Sequence, residues 1–433
     1  MVGVQASIRS RTRWWGLAIA LAVAALIALG GARYSLSPIP LLEQSVRIVA
    51  ARVLSVIYGN DMKYVVEATE RYRIGAPADA DESTDESWRR IERVIPGLMV
   101  VDARDQNHDI PSVPFVYESP DVAYLRDFRT TYRLDAIVED ASDEYEAMLL
   151  LAHWVGTRWD HGTDQVAGGN RVCDPVAVVR AGEWGSKFWC EIAARTMVHA
   201  ATAVGWQARI VTASRDGYAW EHAVAELWSN QFRKWFIIDA DFNVVFHRDG
   251  VPLSAFELVH EGERLQAAGK LEVVAFAAQK PSLPPIDLIP YFAYIHLDMR
   301  NDWCTRVLRR GSPAGGDVAT WWTSRTTLGP ILTASQRVDD PQQFNWPVNV
   351  AALRGIGARP LAGAGAEVAV EVTGYGPDVE AAEVSRTGGN WRLMEGTTLR
   401  LSLTPGRHEV AARLALRSGG KGPETRLVLD FAP

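Results

Sequence analysis

Residues 207–242 constrain the fold more than any other part of the chain. QARIVTA (207–213) reads as a strand and Asp216-Gly217 as a turn, while AWEHAVAELW (219–228) and KWFIIDADF (234–242) read as two strands paired around a short polar loop. Two helical patterns precede them. DASDEYEAMLLLAHWVGTRW offers Asp140 or Ser142 as an N-cap and acids in the first turn, and it sets Tyr145, Met148, Leu149, Ala152 and Val155 on one face. After a loop holding Gly162, Gly168 and Gly169, SKFWCEIAARTMVHA opens a second helix of about residues 187–204, with Ser186 as cap and Gly205 as stop. Helix, helix and then antiparallel sheet is an α+β arrangement.

The N-terminus sets a constraint of another kind. Arg9, Arg11 and Arg13 precede WWGLAIALAVAALIALGGA, 19 uncharged residues over 14–32, close to the roughly 20 that cross a hydrocarbon core. A basic flank stays cytoplasmic, so residues 1–35 are expected to anchor the chain through a membrane helix with the bulk extracytoplasmic. A signal sequence cleaved near ALGGA is the alternative, leaving a secreted or periplasmic protein. In an oxidising compartment cysteines pair, and the chain has three, Cys173, Cys190 and Cys304. A Cys173–Cys304 pair leaves Cys190 free, but spacing leaves all three pairings open.

At 433 residues, 48% of them apolar, the chain is long enough for several cores. Residues 36–135 form an N-terminal extension, with a helical pattern at 39–59 and an acidic linker at 74–87. The helices and strands above make a domain over 136–260, and 261–350 is a mixed connecting region. Over 351–433 the short alternating runs EVAVEVTGYG, WRLMEGTTLRLSLTPG and HEVAARLALRS suggest a separate β-sandwich-like domain. A net charge of −7 argues against a nucleic-acid partner. No CxxC or HExxH motif occurs, so no metal site is expected, and nothing calls for a cofactor.

Chemistry concentrates at Cys190. A thiol attacks carbonyls as a thiolate, and Cys190 falls in the first turn of a helix, where unpaired backbone N–H groups favour negative charge. Such a nucleophile needs a histidine oriented by a carboxylate. His222 shares a strand face with Val224, Glu226 and Trp228, and Asp239 lies near the end of the next strand. With 229–232 as the loop, His222 sits directly opposite Asp239; a loop two residues longer sets Asp239 opposite Val224, diagonal to the ring. Each residue also has a plain reading, as a small core side chain, a satisfied strand histidine and a strand-end cap. Their order on these elements favours catalysis.

KFWCEIAARTMVHAATAVGWQARIV, EHAVAELW and KWFIIDADFN, taken in that order, resemble the transglutaminase-like cysteine enzyme superfamily, in a membrane-anchored or exported bacterial-type form. The resemblance covers about residues 140–250. It implies a papain-like core in which Cys190 is the nucleophile, His222 the base and Asp239 the orienting carboxylate. Phe188, Val224 and Ala240 depart from residues common in that family, and Asp241 remains a rival for Asp239. No calcium loop is carried over. His153 and His199 read as structural, and His161 reads as loop surface or cleft wall. Trp184 and Trp189 read as pocket walls, carbonyl-polarising groups or plain packing. The implied activity is acyl transfer through a thioester, by a protease, amidase or transamidase. With export, the expected substrates are protein, peptide or amide-bearing polysaccharide at the cell envelope. A non-catalytic scaffold binding protein or glycan is the alternative, and a Cys190 locked in a disulfide would favour it.

Overall fold

The computed structural model describes residues 73–74, 83–103, 115–165, 173–216, 221–305, 318–322, 336–337 and 341–433. The apolar run 14–32, the pattern at 39–59, and Gly168, Gly169 and Gly217 lie outside them. Among the described residues no helix is long and apolar enough to cross a membrane.

The described chain begins with β1 (Arg73–Ile74), α1 (Thr84–Val94) and β2 (Leu98–Asp102). Then come α2 (Ala123–Tyr132), α3 (Leu134–Val138), α4 (Glu144–Gly156), α5 (Pro175–Glu183) and α6 (Cys190–Ala203). Strands β3 (Ala208–Ser214), β4 (His222–Ser229), β5 (Lys234–Ile238), β6 (Val244–Arg248) and β7 (Val251–Pro252) lead to a helical stretch, α7, over 255–267. They are followed by β8 (Glu272–Ala275), β9 (Tyr294–Asp298), β10 (Val318–Trp322) and β11 (Gln336–Arg337). The C-terminal strands are β12 (Val350–Leu361), β13 (Gly365–Tyr375), β14 (Val379–Arg386), β15 (Arg392–Leu393), β16 (Thr398–Leu403), β17 (Gly406–Leu416) and β18 (Thr425–Phe431). The fold is α+β, with mainly antiparallel sheets.

The central sheet runs β11-β10-β9-β3-β4-β5, with only β10 and β11 parallel. Both of its faces are covered. Helices α2, α4, α5 and α6 close one side over Ala225, Leu227, Phe236 and Ile238, while Val224, Trp228, Trp235 and Ile237 pack into a second cluster with Trp346 and Tyr375. Every residue of β4 is therefore buried. Truncating Leu227, which is 0% exposed, is expected to cost about 2–5 kcal/mol. On the second face Arg209 pairs with Glu226 at 2.6 Å, both 1% exposed, and its guanidinium lies 4.0 Å from Trp235 and 4.5 Å from Trp346.

Three local expectations are corrected. Asp143, not Asp140 or Ser142, caps α4, accepting from the N–H of Glu146 at 2.9 Å; Ser142 instead donates its own N–H and hydroxyl to the Glu146 carboxylate. Helix α6 starts at Cys190 with Trp189 at the N-cap and no side-chain cap. Residues 187 and 188 are already claimed by the loop after α4, through Gly162 N–H to Phe188 O at 3.2 Å and Asp164 N–H to Lys187 O at 2.9 Å, and Ser186 turns back onto Ala181. The supposed linker at 74–87 contains the start of α1, capped by Ser83.

Of the two strand registers left open by the sequence, the structure takes the one with the longer loop. Ala225 pairs with Ile238 and Glu226 with Ile237, which is the diagonal register, not the one that sets His222 opposite Asp239. Both registers bury the same faces, so burial does not choose between them. Helix α4 does: its Glu144 carboxylate accepts from Ser229 Oγ (3.0 Å), Asn230 Nδ2 (3.0 Å) and the Gln231 N–H (2.8 Å), fastening the turn at 230–233.

Away from the central sheet, β1-β13-β12, with β16 beside β13, faces β15-β14-β17-β18-β2 across a shared apolar cluster. Residues far upstream complete this unit. Strand β2 pairs with β18, and Trp88 of α1 is buried against β12, donating its indole N–H to Leu353 O at 2.8 Å. Cys173 and Cys304 form a disulfide.

Candidate active site

Helix length brings the site together. Fourteen residues of α6 span about 21 Å, close to the roughly 23 Å of the seven-residue β3. Gly205, at φ +93°, allows the chain to reverse sharply between them. The helix therefore runs back along the sheet, and Cys190 arrives at the end where β4 begins with His222 and β5 delivers Asp239. Cys190 is a free, half-buried thiol. It packs with Trp303 against Ala194, Ile210 and Ala223. At the helix N-terminus the first backbone N–H groups have no intrahelical acceptor.

His222 is 4% exposed, and its Nε2 lies 2.7 Å from Asp239 Oδ2. Cys190 lies close enough to interact with the same side chain. Phe242 and Tyr291 flank the ring at 5.5 and 5.7 Å, and Arg215 covers Tyr291 at 3.9 Å. Burial works against a charged His222. The Asp239 charge and hydrogen bond, with the Cys190 contact, outweigh it and raise the imidazole well above its ordinary 6.5. The arrangement favours a protonated His222 beside Cys190.

Asp239, fully buried, is held from its other oxygen. Oδ1 accepts from the N–H groups of Asp241 (3.1 Å) and Phe242 (3.0 Å), in a turn whose Asn243 is left-handed at φ +60°. Asp241, the rival acid, binds His161 Nδ1 at 2.7 Å and Lys280 Nζ at 3.1 Å instead of His222. Trp184 is 81% exposed, whereas Trp189 packs against the helical core. His153 binds Phe276 O at 2.9 Å. His199 is 1% exposed, without a hydrogen-bond partner at either nitrogen.

Sequence reasoning missed Trp303, Tyr291 and Lys280, which come from the region after 260 and carry no motif. A cavity of about 450 Å³ lined by Thr202, Gly205, Gln207 and Asp378 lies at the far end of α6, away from Cys190. Among the described residues no three His, Cys, Asp or Glu side chains gather as metal ligands.

No protein-family model and no curated protein matches the chain. Among solved structures it has a slight likeness to a red sea bream transglutaminase, at 11% identity and a TM-score of 0.23. The likeness covers 82% of this chain and 64% of that one, and it is too slight to carry an argument about activity.

Proposed function

We propose that this chain is a thiol enzyme that cleaves or transfers acyl groups of amide bonds through Cys190, His222 and Asp239. The observation that supports it is the 2.7 Å His222–Asp239 contact beside a free thiol at a helix N-terminus. In this reading the Cys190 thiolate attacks the amide carbon, and backbone N–H groups of the first turn of α6 receive the oxyanion. The His222 imidazolium protonates the leaving nitrogen as the C–N bond breaks, giving a thioester. Neutral His222 then takes a proton from water or an amine, which attacks the thioester and restores the thiolate.

We read residues 136–260, with the later strands that complete the sheet, as a papain-like transglutaminase core, and the two-sheet unit as a β-sandwich-like domain. The 14–32 run and the Cys173–Cys304 disulfide support an extracytoplasmic protein, anchored or released after cleavage. Its substrates are then protein, peptide or amide-bearing polysaccharide at the cell envelope.

The test is alkylation of Cys190 in the full chain, native and His222→Gln, the glutamine keeping a donor for Asp239. Reaction at about pH 6, below the range near 8.5 where a free thiol ionises, is expected in the native protein. His222→Gln should slow it by about 10²-fold. A thiol whose reaction ignores the substitution would sink the reading.

A further inference from the structure

Asp239 owes its aim to the turn that follows it, and that turn is pinned by Asp241. The Asp241 N–H donates to Asp239 Oδ1 at 3.1 Å, while its own carboxylate is gripped by His161 and Lys280. Asn243, in the same turn, donates from Nδ2 to Ala278 O at 2.7 Å. Asp241 and Lys280 are 0% and 4% exposed and His161 is 30% exposed.

We propose that Asp241, held by His161 and Lys280, positions the catalytic carboxylate, and that His161 is the clasp setting the nucleophile's segment against the acid's turn. The inference rests on the Cys190–His222–Asp239 reading above. His161 holds both sides at once. Its backbone is in register with Phe188, two residues before Cys190, and its ring binds Asp241, two residues after Asp239. The nucleophile and the acid are thus joined through one residue, independently of His222.

Stability alone is a poor account of this cluster. Burying an ion pair costs desolvation that apolar side chains of similar size avoid, so such a pair is weak evidence of a stabilising role. Burial opposes ionisation of Asp241, yet the His161 hydrogen bond and the Lys280 charge outweigh it and hold the carboxyl below its ordinary value. The acid stays charged, and a charged acid can hold two donors from separate segments in one geometry.

The test follows Cys190 alkylation across pH in His161→Ala, His161→Asn and His222→Gln, with denaturant melts of each. Asparagine offers an N–H donor close to the position of the imidazole Nδ1. His161→Ala should slow alkylation near pH 7 by about tenfold, the effect of weakening one well-placed hydrogen bond, and His161→Asn should restore most of it. A His161→Ala protein that alkylates like native while His222→Gln does not overturns the clasp and leaves the triad standing. Loss only in proportion to the unfolded fraction also overturns it, reducing the cluster to a structural role. If His222→Gln alkylates like native, the triad reading fails and takes the clasp with it. Should His161→Ala not fold, Lys280→Met, which keeps shape and removes charge, carries the same tenfold expectation and the same overturning outcome.

Discussion

His199 and His222 are both sealed inside the protein, at 1% and 4% exposure, and they are driven in opposite directions. His199 sits in the middle of α6 between Tyr124 and Trp303, at 5.4 and 5.6 Å ring to ring. Burial, with Arg195 adding its positive charge, pushes its pKa down to about 3. His222 suffers the same burial, but a carboxylate 2.7 Å away reverses the outcome and raises it. Burial alone expels the proton from an imidazole, and a buried partner of opposite charge retains it. Of the two, only His222 contacts a free thiol.

The comparison breaks most sharply at Asp239. Asp239→Asn should push His222 toward the condition of His199, with its ring titration, followed by NMR, falling below about 6.5. Cys190 alkylation near pH 7 should drop by about 10²-fold or more. A drop of less than about threefold would mean that Asp239 does not govern the histidine.

Acid stability offers the next largest effect. His199 has a folded pKa below its unfolded value, so it contributes stability above about pH 6.5 that is lost as pH falls toward 3. At pH 5, about one and a half units below the unfolded value, the loss is on the order of 2 kcal/mol. His199→Leu should remove that much of the native decline between about pH 7.5 and 5 in guanidinium melts. An unchanged decline would show that His199 is not held neutral.

The smallest effect has the opposite slope. The His222 pKa is raised on folding, so its contribution is fully present below about 6.5 and is lost as pH rises through the folded value. His222→Gln should flatten the alkaline side of the stability curve and leave the acid side to His199. The same melts, extended to alkaline pH, check it.

Much of the candidate site was legible in the sequence because its signals are local. The alternation in AWEHAVAELW placed His222 on the face of Val224, Glu226 and Trp228, and the Gly205 stop marked where α6 ends. Asp239 and Asp241 could not be told apart that way. They stand two residues apart past the end of β5, where strand alternation no longer applies, and Asp241 is claimed by Lys280, 39 residues downstream. Helix α5, capped by Asp174 and opened by Pro175, was not legible, because its β-branched Val176, Val178 and Val179 suit a short strand as well as a helix.

By itself, the sequence determined which side chains can carry chemistry and which elements carry them, since period, caps and turn residues act within a few positions of one another. Only the tertiary structure decided the register of β4 and β5, because both registers bury the same faces and the choice falls to Glu144, 85 to 87 residues from the turn it fastens. The first residue of α6 was settled the same way, by the 161–164 loop pairing with residues 187 and 188. So was the reach of β2, which crosses more than three hundred residues of chain to pair with β18. Contacts this distant leave no periodic mark, and where two registers bury the same faces it is hydrogen bonds from remote segments that select between them.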